Sequence, residues 1–236
     1  MPDIFGQIMK DASEGGKAIH RIERDDGYTT ESEGTQYLCD IADWPESERS
    51  ALLHAVGPVL DVGCGAGRVG MYLEKNGIQY TGIDISPMAI EVCKKRGLKD
   101  VHVMSAERIT LGKSDFRTII LFGNNFGVLG EQAKIVDMLK SLHQISTPDA
   151  IILAETRDVV ATDNPQHFAY HMRNRQNGLP VGQVQIRIHY QEQVGSWWKL
   201  LMCSSGDMDR LANEAGWYLE RTFGPSSLYV GLLRKR

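Results

Sequence analysis

The sequence predicts an α/β fold: a doubly wound, mostly parallel seven-stranded sheet with an antiparallel last strand and a small inserted cap after strand 5. Three observations carry this reading. From residue 46 onward, short apolar runs alternate with segments of helical spacing. Strands joined by helices of that length run parallel, with right-handed crossovers. The final two apolar runs are separated by little more than Gly224-Pro225, which leaves room only for an antiparallel pairing.

Taken in order, Pro45 to Val56 starts near a proline and sets Leu52, Leu53 and Val56 on one helical face. Val59 to Val62 is a short first strand, and Arg68 to Lys75 restarts helical spacing with Val69, Tyr72 and Leu73. Gln79 to Ile85 is the second strand. Ser86-Pro87 opens a helix over Met88 to Arg96, because serine caps orphan N–H groups and proline suits the first turn, and Gly97 closes it. Val101 to Met104 and Phe116 to Phe122 are the third and fourth strands, Gly130 to His143 is a helix, and Ala150 to Glu155 is the fifth strand. The helix Asp207 to Ala215 and the strands Trp217 to Phe223 and Leu228 to Leu233 complete the sheet.

Regularity fails between Arg157 and Ser205. Asp163-Asn164-Pro165 marks a turn, His167 to Asn174 has helical spacing, and Val181 to Gln191 alternates as a strand exposed on one face. Trp197 to Met202, after Gly195-Ser196, fits its hairpin partner. In that strand Trp197 and Trp198 point to opposite faces, as His189 and Tyr190 do in theirs. The chain therefore divides into an N-terminal helical or lid segment (1–45), a core (46–156), an inserted cap (157–205) and a C-terminal helix with closing strands (206–236).

Composition bounds the function. At 236 residues the chain fits one domain with an insertion, taking ~150 residues as a usual domain. A net charge of −4 with scattered basic residues gives no footprint for nucleic acid. No apolar run approaches the ~18 residues of a membrane span. The opening Met1-Pro-Asp-Ile-Phe-Gly lacks the basic and apolar regions of a leader, so a cytoplasmic protein is expected. Cys39, Cys64, Cys93 and Cys203 contain no C-x-x-C pair and read as reduced thiols. His167 and His171 share a helical face but lack a third ligand, so no metal is expected.

The chemistry concentrates where the first strand ends in Val59-Leu60-Asp61-Val62-Gly63-Cys64-Gly65-Ala66-Gly67-Arg68. Three alternating glycines before a helix let backbone N–H groups approach an anionic or carbonyl-bearing ligand. Asp84, at the tip of the second strand, can accept both ribose hydroxyls of a nucleoside. Asp61 puts a charge at the first strand's tip, where an amine could be held. Gly65 to Gly70 formally satisfies the dinucleotide pattern G-x-G-x-x-G, but that pattern needs its first glycine at the strand end. Here that place is Gly63, and the frame from it runs G-x-G-x-G with Arg68 sixth, which disfavours a nicotinamide enzyme.

Val59 to Gly67 (VLDVGCGAG) resembles the first motif of class I S-adenosylmethionine-dependent methyltransferases, and Tyr80 to Ser86 (YTGIDIS) resembles their second. The resemblance runs from about residue 46 to the C-terminus without the insert, and implies a Rossmann-like core, the cofactor S-adenosyl-L-methionine and an enzyme. It implies that Gly63, Gly65 and Gly67 cradle the methionine moiety, that Asp61 approaches its amino group, and that Asp84 takes the ribose. Ile85 would pack on the adenine, with Ser105, Ala106 and Glu107 along its edge. The fourth strand's tip would face the methyl group, making Asn124, Asn125 and Phe126 candidates for shaping the reaction site. The proline and aromatic signature of amino-group methylases of nucleic acids or proteins is absent there, which disfavours those substrates without fixing another; the acceptor expected is a small molecule.

Glu23 to Tyr28 (ERDDGY) is similar to a segment preceding the first motif in bacterial methyltransferases of unassigned substrate. That similarity implies a turn closing over the cofactor, with Arg24 pairing a carboxylate and Tyr28 near the sulfonium, while composition alone reads a solvated turn. If a general base is needed, His167, His171, His189 or the Glu23 to Asp26 cluster could provide it, with His167 the catalytic candidate beside the two asparagines. The expected function is in-line methyl transfer to a small O-, N- or C-nucleophile, with acceptor specificity in the insert. An NAD-dependent oxidoreductase and a non-catalytic S-adenosylmethionine-binding protein are the alternatives, and the sequence leaves the oligomeric state open.

Overall fold

The computed structural model describes residues 3–112, 115–160 and 162–236; Met1 and Pro2, the first two residues of the opening read above, lie outside these. In chain order come α1 (Ile4–Ser13), β1 (Ile19–Arg24), β2 (Thr29–Glu33), short 3-10 turns at Gly34–Tyr37 and Ile41–Asp43, and α2 (Glu46–Leu52). Next are β3 (Val59–Val62), α3 (Arg68–Lys75), β4 (Tyr80–Asp84), α4 (Pro87–Lys95), β5 (Val101–Val103), β6 (Phe116–Leu121), a 3-10 turn at Asn125–Gly127, and α5 (Gln132–Gln144). The chain continues through β7 (Ser146–Thr156), α6 (Pro165–Gln176), β8 (Gln183–Tyr190), β9 (Gln193–Val194), β10 (Trp198–Leu201), α7 (Ser205–Asn213), β11 (Trp217–Phe223) and β12 (Tyr229–Lys235).

Seven strands form the main sheet in the order β11-β12-β7-β6-β3-β4-β5. Among these seven, β12 runs against the other six, as the short turn after β11 demands. From β3 the chain steps outward through β4 and β5, then crosses back to lay β6 on the other side of β3. The order reverses between β3 and β6, and the loops after these two strands leave a crevice at the carboxyl edge, the usual ligand position in open α/β sheets. Both faces are covered. Leu52, Leu73, Ile90 and Cys93 of α2 to α4 bury one, and Ile135, Leu139, Leu142, Met208 and Leu211 of α5 and α7 bury the other. Fully buried parallel strands explain the continuous apolar runs that made them visible in the sequence.

The helix read over Pro45 to Val56 stops at Leu52. Leu53 is 81% exposed, not part of a buried face. The reason is local: the Val56 N–H and C=O both bond Thr118 Oγ1 (2.9 Å each) as the chain turns into β3, so the backbone has left its helical partners.

The N-terminal segment and the insert share a second, antiparallel sheet, ordered β10-β8-β1-β2 with β9 also on β8. The first 45 residues, expected to be a helical or lid segment, carry a helix, a hairpin and two 3-10 turns, and the insert is joined to them. Ile4, Ile8 and Ala12 recur at helical spacing on α1 and pack against Ile188 and Tyr190 of this sheet. Asp3 caps α1 through Gly6 N (2.9 Å) and also accepts from Ser86 Oγ (2.7 Å) and Met88 N (3.2 Å) at the start of α4. Gly6 permits that approach, since a Cβ there would strike Ser86 and Met88.

Candidate functional site

The glycine loop follows from β3 being short and buried: the chain must reverse within a few residues to start α3. Gly63, Gly65 and Gly67 all have positive φ (77°, 54° and 78°), a region that side chains resist. Gly63 N and Cys64 N both donate to Ile83 O (2.8 and 3.0 Å), tying the loop to β4. Gly65 N donates to Asp84 Oδ2 (2.9 Å), and Ser86 N to Asp84 Oδ1 (2.8 Å). Asp84 therefore braces the loop with Oδ2 and the start of α4 with Oδ1, while each oxygen keeps a further lone pair for a ligand hydroxyl. Arg96 Nη1 (2.6 Å to Ala66 O) and Cys93 Sγ (3.1 Å to Gly65 O) hold the loop from behind. Cys64 is buried beside Cys93, and that thiol contact and burial hold its pKa well above the usual value, so it stays a thiol.

Asp61 is 2% exposed, and Tyr80 Oη reaches it only at 3.4 Å. Burial pushes its carboxyl up to about 7, against the pull of Arg68. A buried carboxylate so weakly partnered suits an incoming cation. Ile85 projects from the next strand tip with 73% of its surface exposed, an apolar platform at the carboxyl edge.

Across the crevice, Gly123 and Asn124 turn the chain after β6 with left-handed φ of 70° and 66°. The Asn124 amide is buried, and neither its Nδ2 nor its Oδ1 has a hydrogen-bond partner among the described residues. Burying an amide unpaired is costly, so this one is poised for a partner that the protein does not supply. Asn125 turns the other way and donates from Nδ2 to Val62 O (3.0 Å) and Gly63 O (3.1 Å), which makes it a latch on the glycine loop. Phe126 is wholly buried under the loop and belongs to the core.

The remaining candidates fall into separate places. Ser105 and Ala106 follow β5, half-buried; Ser105 Oγ accepts from Glu107 N, and Glu107 pairs with Lys134 (2.6 Å) at the surface. Arg24, Tyr28 and His167 are brought together where the β1–β2 turn meets α6. Arg24 pairs with Asp26 through two bonds (2.8 and 2.7 Å), and its guanidinium lies over the rings of Tyr28 (4.8 Å) and Tyr170 (4.2 Å). Tyr28 packs edge-on to His167 at 5.0 Å. The Arg24 charge is thus met by its own turn. His167 Nδ1 contacts Thr162 Oγ1 (3.1 Å), and burial with the nearby Arg24 lowers its pKa, favouring the neutral imidazole; burial lowers His171 similarly. Glu23 and His189 meet on the opposite face of the second sheet, where His189 Nε2 (2.5 Å) and Arg187 Nε (2.8 Å) both contact Glu23 Oε2. Bonds from Arg187 and His189 lower the Glu23 pKa, and the pair stands apart from Ile188 and Tyr190, which face α1. Trp198 packs on Phe5, while Trp197 lies under Arg187, so the two tryptophans do split between faces.

Sequence reasoning missed three contributors. Asp3 joins α1 to α4, as described. Met9 of α1 lies with its thioether over Gly65, so α1 covers the glycine loop. Glu155, at the end of β7, accepts from Gly123 N (3.1 Å) and faces Glu48, which Arg68 holds at 2.6 Å. A signal for Glu155 was available: it closes an apolar strand with a carboxylate, as Asp84 does.

Residues 59–149 match the methyltransferase domain family. The chain is 30% identical over 96 residues to the ubiquinone biosynthesis O-methyltransferase of Pasteurella multocida, covering 40% of this chain and 38% of that protein. It spans about half or less of the length of the curated relatives that it matches. Among solved structures, a SAM-dependent methyltransferase from Bacteroides fragilis in complex with S-adenosyl-L-homocysteine superposes with a TM-score of 0.84 at 23% identity, covering 100% of this chain and 97% of that one. The CcbJ methyltransferase from Streptomyces caelestis gives 0.62 at 14%, with 82% and 94% covered. These structural likenesses establish the fold.

Proposed function

We propose, from the premise that this chain is built on a methyltransferase domain in the class I fold, that it transfers a methyl group from S-adenosyl-L-methionine to a small-molecule acceptor. The observation that carries the reading is the crevice between β3 and β6. A loop of three positive-φ glycines, a buried and weakly partnered Asp61, and Asp84 at the adjacent strand tip converge there. These match a ligand bearing an amine, a ribose and an apolar base.

In this reading Gly63, Gly65 and Gly67 bring backbone against the methionine moiety. Asp61 receives its ammonium, and Asp84 uses its remaining lone pairs on the ribose. Ile85 lies under the adenine, with Ser105, Ala106 and Glu107 at its edge. The cofactor, when bound, supplies an electrophilic methyl. The protein's own task is then to align the acceptor in line and exclude water, which can provide a large share of the rate. Asn124 offers the acceptor a donor and an acceptor atom at the crevice, and Asn125 fixes the loop that carries it. His167, half-buried beside Arg24 and so favoured as the neutral imidazole, is suited to take a proton from an O–H or N–H nucleophile. The second sheet and α6 supply the acceptor's walls.

Titration calorimetry with S-adenosyl-L-methionine, S-adenosylhomocysteine and a nicotinamide dinucleotide tests the cofactor. A panel of small hydroxyl, amine and carbon acids, read by release of S-adenosylhomocysteine, tests the transfer. Tight nicotinamide binding without S-adenosylmethionine binding would sink the reading. Cofactor binding with no release across the panel would favour a binding protein.

A further inference from the structure

The crevice has a support that the proposed chemistry does not use: a buried cluster of two carboxyls and one guanidinium behind it. Glu48 on α2 is 1% exposed and Glu155 at the end of β7 is 5% exposed, so neither has water to offset a charge. Arg68, the first residue of α3 after the glycine loop, grips Glu48 with Nη1 (2.6 Å) and Nη2 (2.5 Å), and its guanidinium lies over the Trp44 ring at 4.5 Å. Glu155 faces Glu48 on one side and accepts from Gly123 N (3.1 Å) on the other. Gly123 immediately precedes Asn124.

We propose that Glu155 is a positioning residue: it joins the turn that carries Asn124 to the Glu48–Arg68 pair at the start of α3, so the two loops flanking the crevice share one support. This inference rests on the reading of the crevice as the cofactor and acceptor site. Two carboxylates with one guanidinium would leave a net buried charge, whereas a proton held between Glu155 and Glu48 leaves the cluster neutral. The bonds then run in sequence. Arg68 donates to Glu48, the Glu155 O–H donates to Glu48, and Gly123 N–H donates to Glu155 Oε2. Burial, and then the like charge of Glu48, push the Glu155 carboxyl up to about 8, against the pull of Gly123 N–H and Arg68. The other charged or titratable groups around the cluster are Asp61, acting on Arg68 from β3, and Cys39 and Tyr37 from the segment before α2. When Glu155 ionises it is repelled by a Glu48 that Arg68 keeps in place, so Glu155 moves and the Gly123–Asn124 turn moves with it.

The test uses the ligand-free full chain, with nitrogen-15 NMR of the Gly123 and Asn124 amides from about pH 6 to about pH 9.5. In the wild type both resonances should titrate together with a midpoint near 8. In Glu155→Gln, whose carboxamide can still accept from Gly123 and donate to Glu48, both should stay near their low-pH wild-type positions throughout. Glu48→Gln, which removes the like charge, should lower the midpoint. Calorimetry with S-adenosylhomocysteine should show affinity falling through the same midpoint in the wild type, and that fall should be absent from Glu155→Gln, which keeps only the rise toward about pH 7 set by Asp61. Amides that do not titrate in the wild type, or that titrate equally in Glu155→Gln, would overturn the proposal. Failure of S-adenosylhomocysteine to bind at any pH would count against the cofactor reading alone, while the amide titration would still decide the linkage.

Discussion

Asn125 bridges the crevice by donating its side-chain amide to the backbone oxygens of Val62 and Gly63, at 3.0 and 3.1 Å. A Cβ on Gly63 would land on that same amide, and Gly63 already sits at φ 77°. Gly63→Ala is therefore strained twice, and about 1–3 kcal/mol of stability should be lost from the backbone alone. Asn125→Ala should cost about 1 kcal/mol, since the freed carbonyls can turn to water. Thermal unfolding and S-adenosylhomocysteine titration check both. A Gly63→Ala protein that binds like the wild type would remove the glycine loop from the site.

Asp61 gives a pH test of the cofactor's amine. Its folded-state carboxyl lies near 7, raised from 3.8 by burial. A raised acid contributes stability below the ordinary carboxylate range, and that contribution is lost as pH climbs to about 7, so unfolding temperature should fall over this window. An arriving ammonium favours the ionised form. Binding at about pH 6 should thus release close to one proton, and release should vanish above about pH 8.5. Calorimetry in buffers of different ionisation heat measures this directly. Asp61→Asn should bind with no proton release; release undiminished in that variant would place the proton elsewhere.

Asp84 has two tasks that substitution can separate. Its oxygens accept from Gly65 N and Ser86 N, and their remaining lone pairs are assigned to the ribose. Asp84→Ala leaves two N–H groups without their carboxylate and should lose about 1–3 kcal/mol of stability together with cofactor binding. Asp84→Asn keeps one acceptor oxygen and should lose less stability, while S-adenosylhomocysteine affinity still falls by about tenfold or more. Equal affinity in Asp84→Asn and wild type would mean that the carboxylate serves the loop and not the ligand.

The main sheet was legible because its information is local. Ile119–Leu121 and Ala150–Ala154 are continuous apolar runs that only a strand covered on both faces requires, and Ser86-Pro87 and Gly97 mark a helix by side-chain chemistry at its two ends. Of the second sheet, the β8–β10 pairing was legible in the alternation of Val181 to Gln191 and its hairpin partner, but the β1–β2 half was not, because β1 pairs with β8 more than 160 positions away and β2 (TTESE) is a polar edge with no apolar alternation. The same limit divides the two asparagines. Both stand at the end of β6, and only tertiary placement turns one amide toward the glycine loop and leaves the other buried without a partner. Glu155 was visible as a carboxylate closing an apolar strand, but its role was not, because its partners Glu48 and Gly123 come from distant parts of the chain.

Arg24 decides whether the β1–β2 turn serves the cofactor or the acceptor. The resemblance implies that it pairs a carboxylate as the turn closes over the cofactor, and here its guanidinium is already paired with the Asp26 carboxylate and stacked over Tyr28 and Tyr170. The adjoining Asp25 binds Tyr170 Oη (2.6 Å) and Arg173 Nη2 (2.8 Å), so the turn is anchored to α6 from two residues. A guanidinium satisfied in this way stiffens the junction of turn and insert, where His167 also lies against Tyr28. Arg24→Ala should therefore leave S-adenosylmethionine affinity within about twofold of wild type while raising the acceptor's KM, a loss of binding rather than of the chemical step. Asp26→Asn, which keeps one of the two bonds to Arg24, should show the same pattern more weakly. If Arg24→Ala instead weakens S-adenosylmethionine by about tenfold or more, the guanidinium exchanges Asp26 for the cofactor's carboxylate on binding, and the turn closes over the cofactor.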